Sequence, residues 1–502
     1  MKASVYKYLS PRNVFLLLGL LFLAQQLFIL FSFSFDQFDT DQMLMWEAAM
    51  DMSKGHFYTP HFYGQQYNSM AEAFLASPFI FLGLKVYYAV PLATWLMAIS
   101  PWLILLFYCN KKGLFSSGIL ILIFLFLLSP QYSILTHMSR GFIQGIFFTF
   151  LGLAIWWFGS KKPIHFFFLL LFALLGALQV PNNILLFPAI VILFWDKRWL
   201  TKKYLVFGGL AIFLIASIYM GIQQFYISHP ENLIHGKPQV HASLDQFMKN
   251  IKSVHLLFIH LFRGEENAPF TLLVLALTIG MISKKYWQMG CFLVLVLVSI
   301  SVNKVADITE SVFFSGGRFY MAVPLGLALF LLVRRVDIKP TVILALAFVG
   351  VGLGFIQTSE LDHDIQTKPW RGKEAPVLSF TLDEINCACD SIQTIAKQSD
   401  ALIVYDHYFV EAVSLGCPIL KKDFPMSSRY RYERRPWIKF QLDAMRPKSL
   451  IIMDRFTNPD SVKTLFPDIE LKWIEGQAYR MKNKEKQRVD TIMQKWNRVP
   501  RT

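Results

Sequence analysis

The chain has 502 residues, of which 54% are hydrophobic and 47 are Phe, and its mean hydropathy is positive. That is too apolar for a soluble protein of this length, so much of the chain must face lipid or other spans, and it reads as a polytopic α-helical membrane protein. The net charge is +15, but Lys and Arg fall as short pairs between apolar runs rather than as one stripe. The pattern is topological and does not point to nucleic acid.

Apolar stretches fall at roughly 13–35, 86–109, 114–129, 142–159, 163–179, 183–196, 204–223, 268–283, 286–302, 319–333 and 340–357, about eleven transmembrane helices by a sliding-window reading. The first is long enough to cross a hydrocarbon core of about 30 Å. It continues into Phe33-Ser34-Phe35-Asp36 with no small-residue cleavage site, so it reads as an uncleaved anchor. The run Ala71 to Leu84, broken by Pro78 and Gly83, reads either as another span or as a half-buried interfacial helix.

Basic residues set the orientation. Lys2, Lys7 and Arg12, Lys111-Lys112, Lys161-Lys162, Lys197-Arg198 with Lys202-Lys203, Lys284-Lys285, and Arg334-Arg335 with Lys339 occupy alternate connections, which are cytoplasmic by the positive-inside rule. The other connections hold few: Lys54, Arg140, and Lys304 with Arg318. The N-terminus is therefore placed in the cytoplasm, and the stretch from Phe38 to Pro78 outside it.

That stretch is the first long polar interruption of the chain. Asp39 can cap a short helix with Gln42 three residues on, and Gly55 suits its left-handed end. Asp41 then sits in the first turn, where the partial positive charge of the helix end favours an ionised carboxylate able to accept a proton or hold a metal. Beyond Pro60 follow Tyr63-Gly64-Gln65-Gln66-Tyr67 and Glu72. Tyr63 and Tyr67 also fit an aromatic belt, whereas an acid heading an apolar run, as Glu72 does, calls for a partner.

Residues 224–267 carry His229, His235, His241, His255 and His260, but the spacings match no compact metal motif, so the segment reads as amphipathic and membrane-lying. From about 358 hydropathy drops and a soluble domain of roughly 145 residues begins. Ala401 to Tyr405 and Ser449 to Met453 read as buried parallel strands near helical sequence, giving a small α/β domain on the outer, periplasmic side. The basic tail after Lys482 reads as helical or frayed. Cys109 and Cys291 lie in spans as packing residues, and one disulfide from Cys417 to Cys387 or Cys389 is expected in an oxidising compartment.

The run Asp41, Gln42, Gly55, Phe62-Tyr63-Gly64-Gln65-Gln66-Tyr67, Glu72-Ala73 and Pro78 resembles the first outer loop of bacterial family-39-like glycosyltransferases of the GT-C fold, relatives of protein O-mannosyltransferases and of the lipid A aminoarabinose transferase. Such loops typically read Asp-Glu, a helix ending in Gly, Phe-Tyr-Gly-Gln-x-Tyr and a Glu. Gln42 stands where Glu is usual, so a role needing both carboxylates is not carried over. Ser139-Arg140-Gly141 and Arg318-Phe319-Tyr320 with Pro324 are similar to the same family. The likeness covers residues 1–357, as a GT-C-like catalytic domain with its outer loop at 36–84, and leaves 358–502 as the separate α/β domain.

The resemblance implies a multi-pass enzyme of the bacterial cytoplasmic membrane that moves a sugar from a polyprenyl-phosphate carrier to an acceptor on the outer face; sugar and acceptor stay open. The residues suit that chemistry: a sugar on phosphate leaves readily when cations hold the phosphate, and the acceptor needs a base near the anomeric carbon. Asp41 is the expected base, with Asp39 and Glu72 as further catalytic candidates. Arg140 and Arg318, able to grip phosphate in bidentate fashion, are the expected donor ligands, together with Tyr63, Gln65, Tyr67 and Tyr320. Each has a plainer reading: Asp39 as an N-cap, the two Arg as interfacial anchors. A second reading has Asp39 and Asp41 jointly hold a divalent cation, Mg2+ or Mn2+, the single cofactor considered. The rival from another class is a transporter or flippase of a lipid-linked sugar or other amphiphile, and a third is a scaffold. Transporters tend to show repeated halves and midplane sites, whereas here no repeat is seen and the polar residues gather at one membrane face.

Overall fold

The structure, a computed structural model, describes residues 10–234, 241–302, 312, 316–333, 339–368, 379–398, 400–406, 411–428, 433–454, 457–466, 472–474 and 478–499. Lys2, Lys7, His235, Lys304, Arg334 and Arg335 lie outside them. Helix α1 (Pro11–Ile29) begins with Ser10 as its cap, the hydroxyl accepting from Asn13 N–H at 3.3 Å, and runs on as a π turn over Leu30–Ser34. Next come β1 (Gln37–Phe38), α2 (Thr40–Ser53) and α3 (Ala71–Phe81). The apolar part continues with α4 (Val86–Lys112), α5 (Phe115–Leu127), α6 (Pro130–His137), α7 (Gln144–Phe158), α8 (Pro163–Gln179), α9 (Leu186–Phe194) and α10 (Lys202–Ser228). Two short helices, α11 (Leu244–Lys252) and α12 (Val254–Phe258), precede α13 (Ala268–Ser283), α14 (Tyr286–Ser299), α15 (Ala322–Leu332) and α16 (Pro340–Thr367).

Each of the eleven apolar stretches read from the sequence carries one of these helices. Among the described residues, five helical segments are long and apolar enough to cross a membrane, at 11–34, 86–112, 202–228, 265–283 and 341–367; the other apolar helices are shorter. Burial sorts them. All of α15 is buried and α5 nearly so, as expected of helices apolar all round, whereas α10 exposes Leu205, Phe213, Met220 and Ile227. Helices α7 and α8 meet backbone to backbone: a Cβ on Gly145 would lie 2.8 Å from Gly176 O. Small residues permit such approach in apolar surroundings.

The C-terminal part adds β2 (Phe380–Thr381), α17 (Leu382–Gln398), β3 (Ile403–Asp406), α18 (Glu411–Leu420), β4 (Met426–Ser428), α19 (Pro436–Ala444), β5 (Ser449–Met453), α20 (Pro459–Leu465), β6 (Lys472–Ile474), β7 (Ala478–Lys482) and α21 (Val489–Trp496). Five strands form one sheet in the order β4-β3-β5-β7-β6. The two stretches read as strands, 401–405 and 449–453, supply β3 and β5, which pair in parallel with Ile403 opposite Leu450; β7 runs antiparallel to β5. Cys389 and Cys417 form a disulfide that ties α17 to α18, and Cys387 is free and exposed. The tail is helical rather than frayed. Trp496 of α21 is buried and donates to Asp454 Oδ2 at 3.0 Å.

This part is not packed on its own. Strand β2 pairs antiparallel with β1, Phe38 opposite Phe380. One apolar cluster joins Phe38, Met43, Trp46 and Phe62 to Ile385, Cys389, Leu415 and Ile451. Helix α2 therefore lies between two bodies and is buried on most sides, which explains why its sequence has no clear polar face.

Candidate active site

The first turn of α2 is fixed by a reciprocal cap. Gln42 N–H donates to Asp39 Oδ1 at 2.9 Å, and Asp39 N–H donates to Gln42 Oε1 at 2.9 Å. A neutral amide does this work as well as a carboxylate, so Gln42 has a structural task where the resembling loops carry Glu. The cap aims Asp39 Oδ2 and the next acid, Asp41, at the connection between α6 and α7.

There Arg140 meets both. Its Nε lies 3.3 Å from Asp39 Oδ2, and its Nη2 donates to Asp41 Oδ2 at 2.5 Å. The other oxygen of Asp41 takes a second guanidinium: Arg434 Nη1 donates to Oδ1 at 2.7 Å. Burial alone would raise the Asp41 pKa, but the charges and hydrogen bonds of Arg434 and Arg140 outweigh it and hold the carboxyl well below its usual range.

Arg140 is itself held from behind by Glu72. Gly141 has φ +78, a left-handed backbone, and its N–H donates to Glu72 Oε1 at 3.2 Å. Thr94 donates to the hydroxyl of the preceding Ser139 at 2.8 Å. Glu72, fully buried at the start of α3 in the loop between α1 and α4, is pushed up to about 8 by that burial, against the hydrogen bond from Gly141 N–H. It props the peptide that follows Arg140, and its burial favours the neutral form.

Arg318 adjoins the same place. Its guanidinium carbon lies 5.8 Å from the ring centre of Phe142 and 4.9 Å from that of Phe319, and Arg140 lies 5.3 Å from the same Phe142 ring. Tyr67 sits among them: after burial, which raises its pKa, the charges of Arg434, Asp41, Arg318 and Arg140 all act on its hydroxyl. The other three candidates lie elsewhere. Tyr63 donates to Asp51 Oδ2 at 2.7 Å, the main-chain carbonyl of Gln65 accepts from Tyr226 at 2.8 Å, and Tyr320 packs 5.1 Å from Phe258 with its hydroxyl 3.3 Å from Ser299. Tyr63 thus gives its hydroxyl to Asp51, and the main chain at Gln65 is tied to Tyr226.

Arg434 has no counterpart in the sequence reading. It precedes α19, in the run Glu433-Arg434-Arg435-Pro436-Trp437, whose acid, paired guanidiniums, helix-opening Pro and aromatic were a usable signal. The run is locked on the loop: Trp437 stacks on Tyr58 with centroids 4.1 Å apart and meets the Tyr63 ring edge-on at 5.0 Å. Arg435 bonds Glu433 at 2.6 Å and also pairs with Glu47 of α2. Burial raises Glu47 to about 7, with Arg435 opposing and Glu433 adding to the rise. Gly64, at φ +75, leaves room for the base of the Arg434 side chain, since a Cβ there would lie 2.9 Å from Arg434 Cβ and 3.0 Å from its Cγ.

No group of three or more His, Cys, Asp or Glu side chains comes together around a metal position among the described residues. A divalent cation at Asp39 and Asp41 would have to displace the Arg140 fork that spans them.

No known protein family and no curated protein matches this sequence. Among solved structures the chain is similar to ArnT from Cupriavidus metallidurans bound to undecaprenyl phosphate, with a TM-score of 0.55 and 11% identity over 93% of this chain and 98% of that one. It is similar to the apo state of the same protein with a TM-score of 0.56 and 10% identity, over 95% and 98% of the two chains. At such identities the likeness is one of fold, and nearly end to end: the chain has the GT-C-like helical membrane fold of these ArnT structures.

Proposed function

We propose that this protein is a membrane glycosyltransferase that takes a sugar from a polyprenyl-phosphate carrier and transfers it to an acceptor. The observation that carries the reading is the pair of guanidiniums, Arg140 and Arg434, closing on both oxygens of Asp41 beside Arg318. It stands in a chain whose fold is that of a protein crystallised with undecaprenyl phosphate. Cations clustered round one carboxylate make a site for an anionic leaving group with a base beside it.

In this reading Arg318 and Arg140 hold the phosphate. The acceptor oxygen or nitrogen attacks the anomeric carbon, its proton goes to the Asp41 carboxylate, and the bond from that carbon to the phosphate oxygen breaks with its electron pair on the phosphate. Asp39 caps α2 and steadies Arg140; Glu72 holds the Arg140 backbone. Because two guanidiniums already neutralise the acid pair, the reaction is read as running without a metal, and activity surviving a strong chelator is the matching observation. The alternation of basic pairs supports a topology with the loop and the C-terminal domain on the outer face, the membrane part extending to about residue 357 and the N-terminus inside, in what the resemblance suggests is a bacterial cytoplasmic membrane. A lipid substrate then reaches the site from the bilayer.

The test is to incubate purified protein with polyprenyl-phosphate sugars labelled in the sugar and with extracts of envelope acceptors. Release of free polyprenyl phosphate together with transfer of label supports the reading. Movement of intact donor across proteoliposome membranes without release would make the protein a transporter.

A further inference from the structure

We infer that Arg434 is a ligand of the donor's phosphate, so that the C-terminal segment carrying it completes the substrate site together with the membrane helices. The inference rests on the function proposed above and adds a residue and a domain to it.

The two guanidiniums on Asp41 are engaged differently. Arg140 donates Nη2 to Asp41 and keeps its Nε within ion-pair distance of Asp39, 3.3 Å, rather than hydrogen-bonded to it, with its face toward Phe142. Arg434 gives Asp41 one nitrogen, Nη1, while its Nε is buried without a hydrogen-bond partner. A buried N–H of a charged group without an acceptor is costly, and a phosphate oxygen in reach would relieve it. Charge points the same way. Arg140, Arg318 and Arg434 against Asp39 and Asp41 leave one positive charge in excess, matching the single negative charge of a sugar phosphodiester.

The support of Arg434 is built to hold its backbone and free its tip. Trp437 on Tyr58, Arg435 on Glu433 and Glu47, and the glycine at position 64 fix the chain on either side. In this proposal the end of the side chain passes from Asp41 to the phosphate while the backbone stays where it is. That exchange has a chemical consequence: a carboxylate gripped by two cations is a weak base, and Asp41 relieved of one is a stronger one. Donor binding thereby readies the base.

The experiment uses the full chain in phosphatidylcholine nanodiscs and measures binding of undecaprenyl phosphate. Arg434→Gln is expected to weaken it roughly 10- to 100-fold, the range for hydrogen bonds to a charged group, with Arg434→Lys between the two. Asp41→Asn, which leaves only a neutral and weaker competitor for the Arg434 fork, is expected to tighten binding several-fold, and Asp41→Asn with Arg434→Gln to lose that gain. Wild-type affinity in Arg434→Gln, or a gain that persists in the double variant, overturns the inference while leaving the transferase reading standing. A wild-type protein that binds no undecaprenyl phosphate overturns both. Equal displacement by phosphatidylglycerol or by inorganic phosphate would make the ligand any phosphate and overturn the assignment to the carrier.

Discussion

Arg434 and Asp41 are 393 residues apart in sequence and joined by a 2.7 Å ion pair. The contact closes the longest loop in the site, and it exists because β1 pairs with β2 and α2 shares an apolar core with α17 and α18. The polar loop is thus held by membrane helices on one side and by the C-terminal sheet domain on the other. In the proposed function, a site so placed would take a lipid phosphate from the bilayer and a polar acceptor from water.

Arg318→Ala should weaken binding of the lipid-linked donor by about 1.5–3 kcal/mol, the usual scale for a hydrogen bond to a charged group. Arg318→Lys should restore part of it, because an ammonium keeps the charge and loses the planar fork. Donor affinity equal to wild type in Arg318→Ala would leave Arg318 as an aromatic-packed anchor on Phe142 and Phe319.

Glu72 makes stability depend on pH with a definite sign. Its carboxyl titrates near 8 when folded, against an ordinary 4.5. Between these values the folded state binds more protons than the unfolded one, so stability falls as pH rises through that window and levels off above it. Glu72→Gln keeps the acceptor for Gly141 N–H and cannot ionise, so its melting temperature should hold where wild type declines, ending roughly 2–5 °C higher at pH 8. Parallel curves for the two proteins would remove Glu72 as the titrating group.

The Cys389–Cys417 bridge joins α17 to α18 beneath the sheet, and both cysteines are buried. Cys417→Ser should destabilise the C-terminal part by about 2–4 kcal/mol, the common range for a native disulfide. Because that part supplies Arg434 and Arg435 to the loop, donor transfer should fall along with it. Thiol counting on protein denatured without reductant should find one bridge and three free cysteines; five free thiols would contradict it.

Much of the fold could be read in the chain because it rests on local signals. Long apolar runs gave the helices, Asp39 and Gln42 three apart gave the cap, and Ile403 and Leu450 lie in apolar runs too short for helices that became paired strands. Arg140 could be picked out because Ser139-Arg140-Gly141, at the opening of an apolar run, is similar to the motif of the resembling family and stands in a connection with few basic residues. Arg434 was harder to find: the run 433–437 is unusual in composition, but nothing local says that it will dock on α2; that follows from Trp437 meeting Tyr58 and Arg435 meeting Glu47. Tyr63 shows the converse: its motif suggested the donor site, while its hydroxyl is committed to Asp51.

The alternation of basic pairs predicts a topology. Cysteine labelling in intact cells should reach positions near Asp41, in 224–267 and after 379, and should miss Lys111 and the N-terminus until the membrane is opened. Asp41 and Lys111 accessible from one side would undo the orientation.

The most direct test is the Asp41→Asn variant in the sugar-transfer assay. Asn keeps the size and can still accept a hydrogen bond from Arg140 or Arg434, so the loop should form and donor should still bind, while the acceptor's proton has nowhere to go. Transfer should fall roughly 100- to 10,000-fold, the span lost with general-base assistance, and Asp39→Asn should be far milder because Asn caps a helix as well as Asp. Normal turnover by Asp41→Asn would contradict the account at its centre; loss of activity in both variants together with dependence on added Mg2+ or Mn2+ would make the pair a metal site instead.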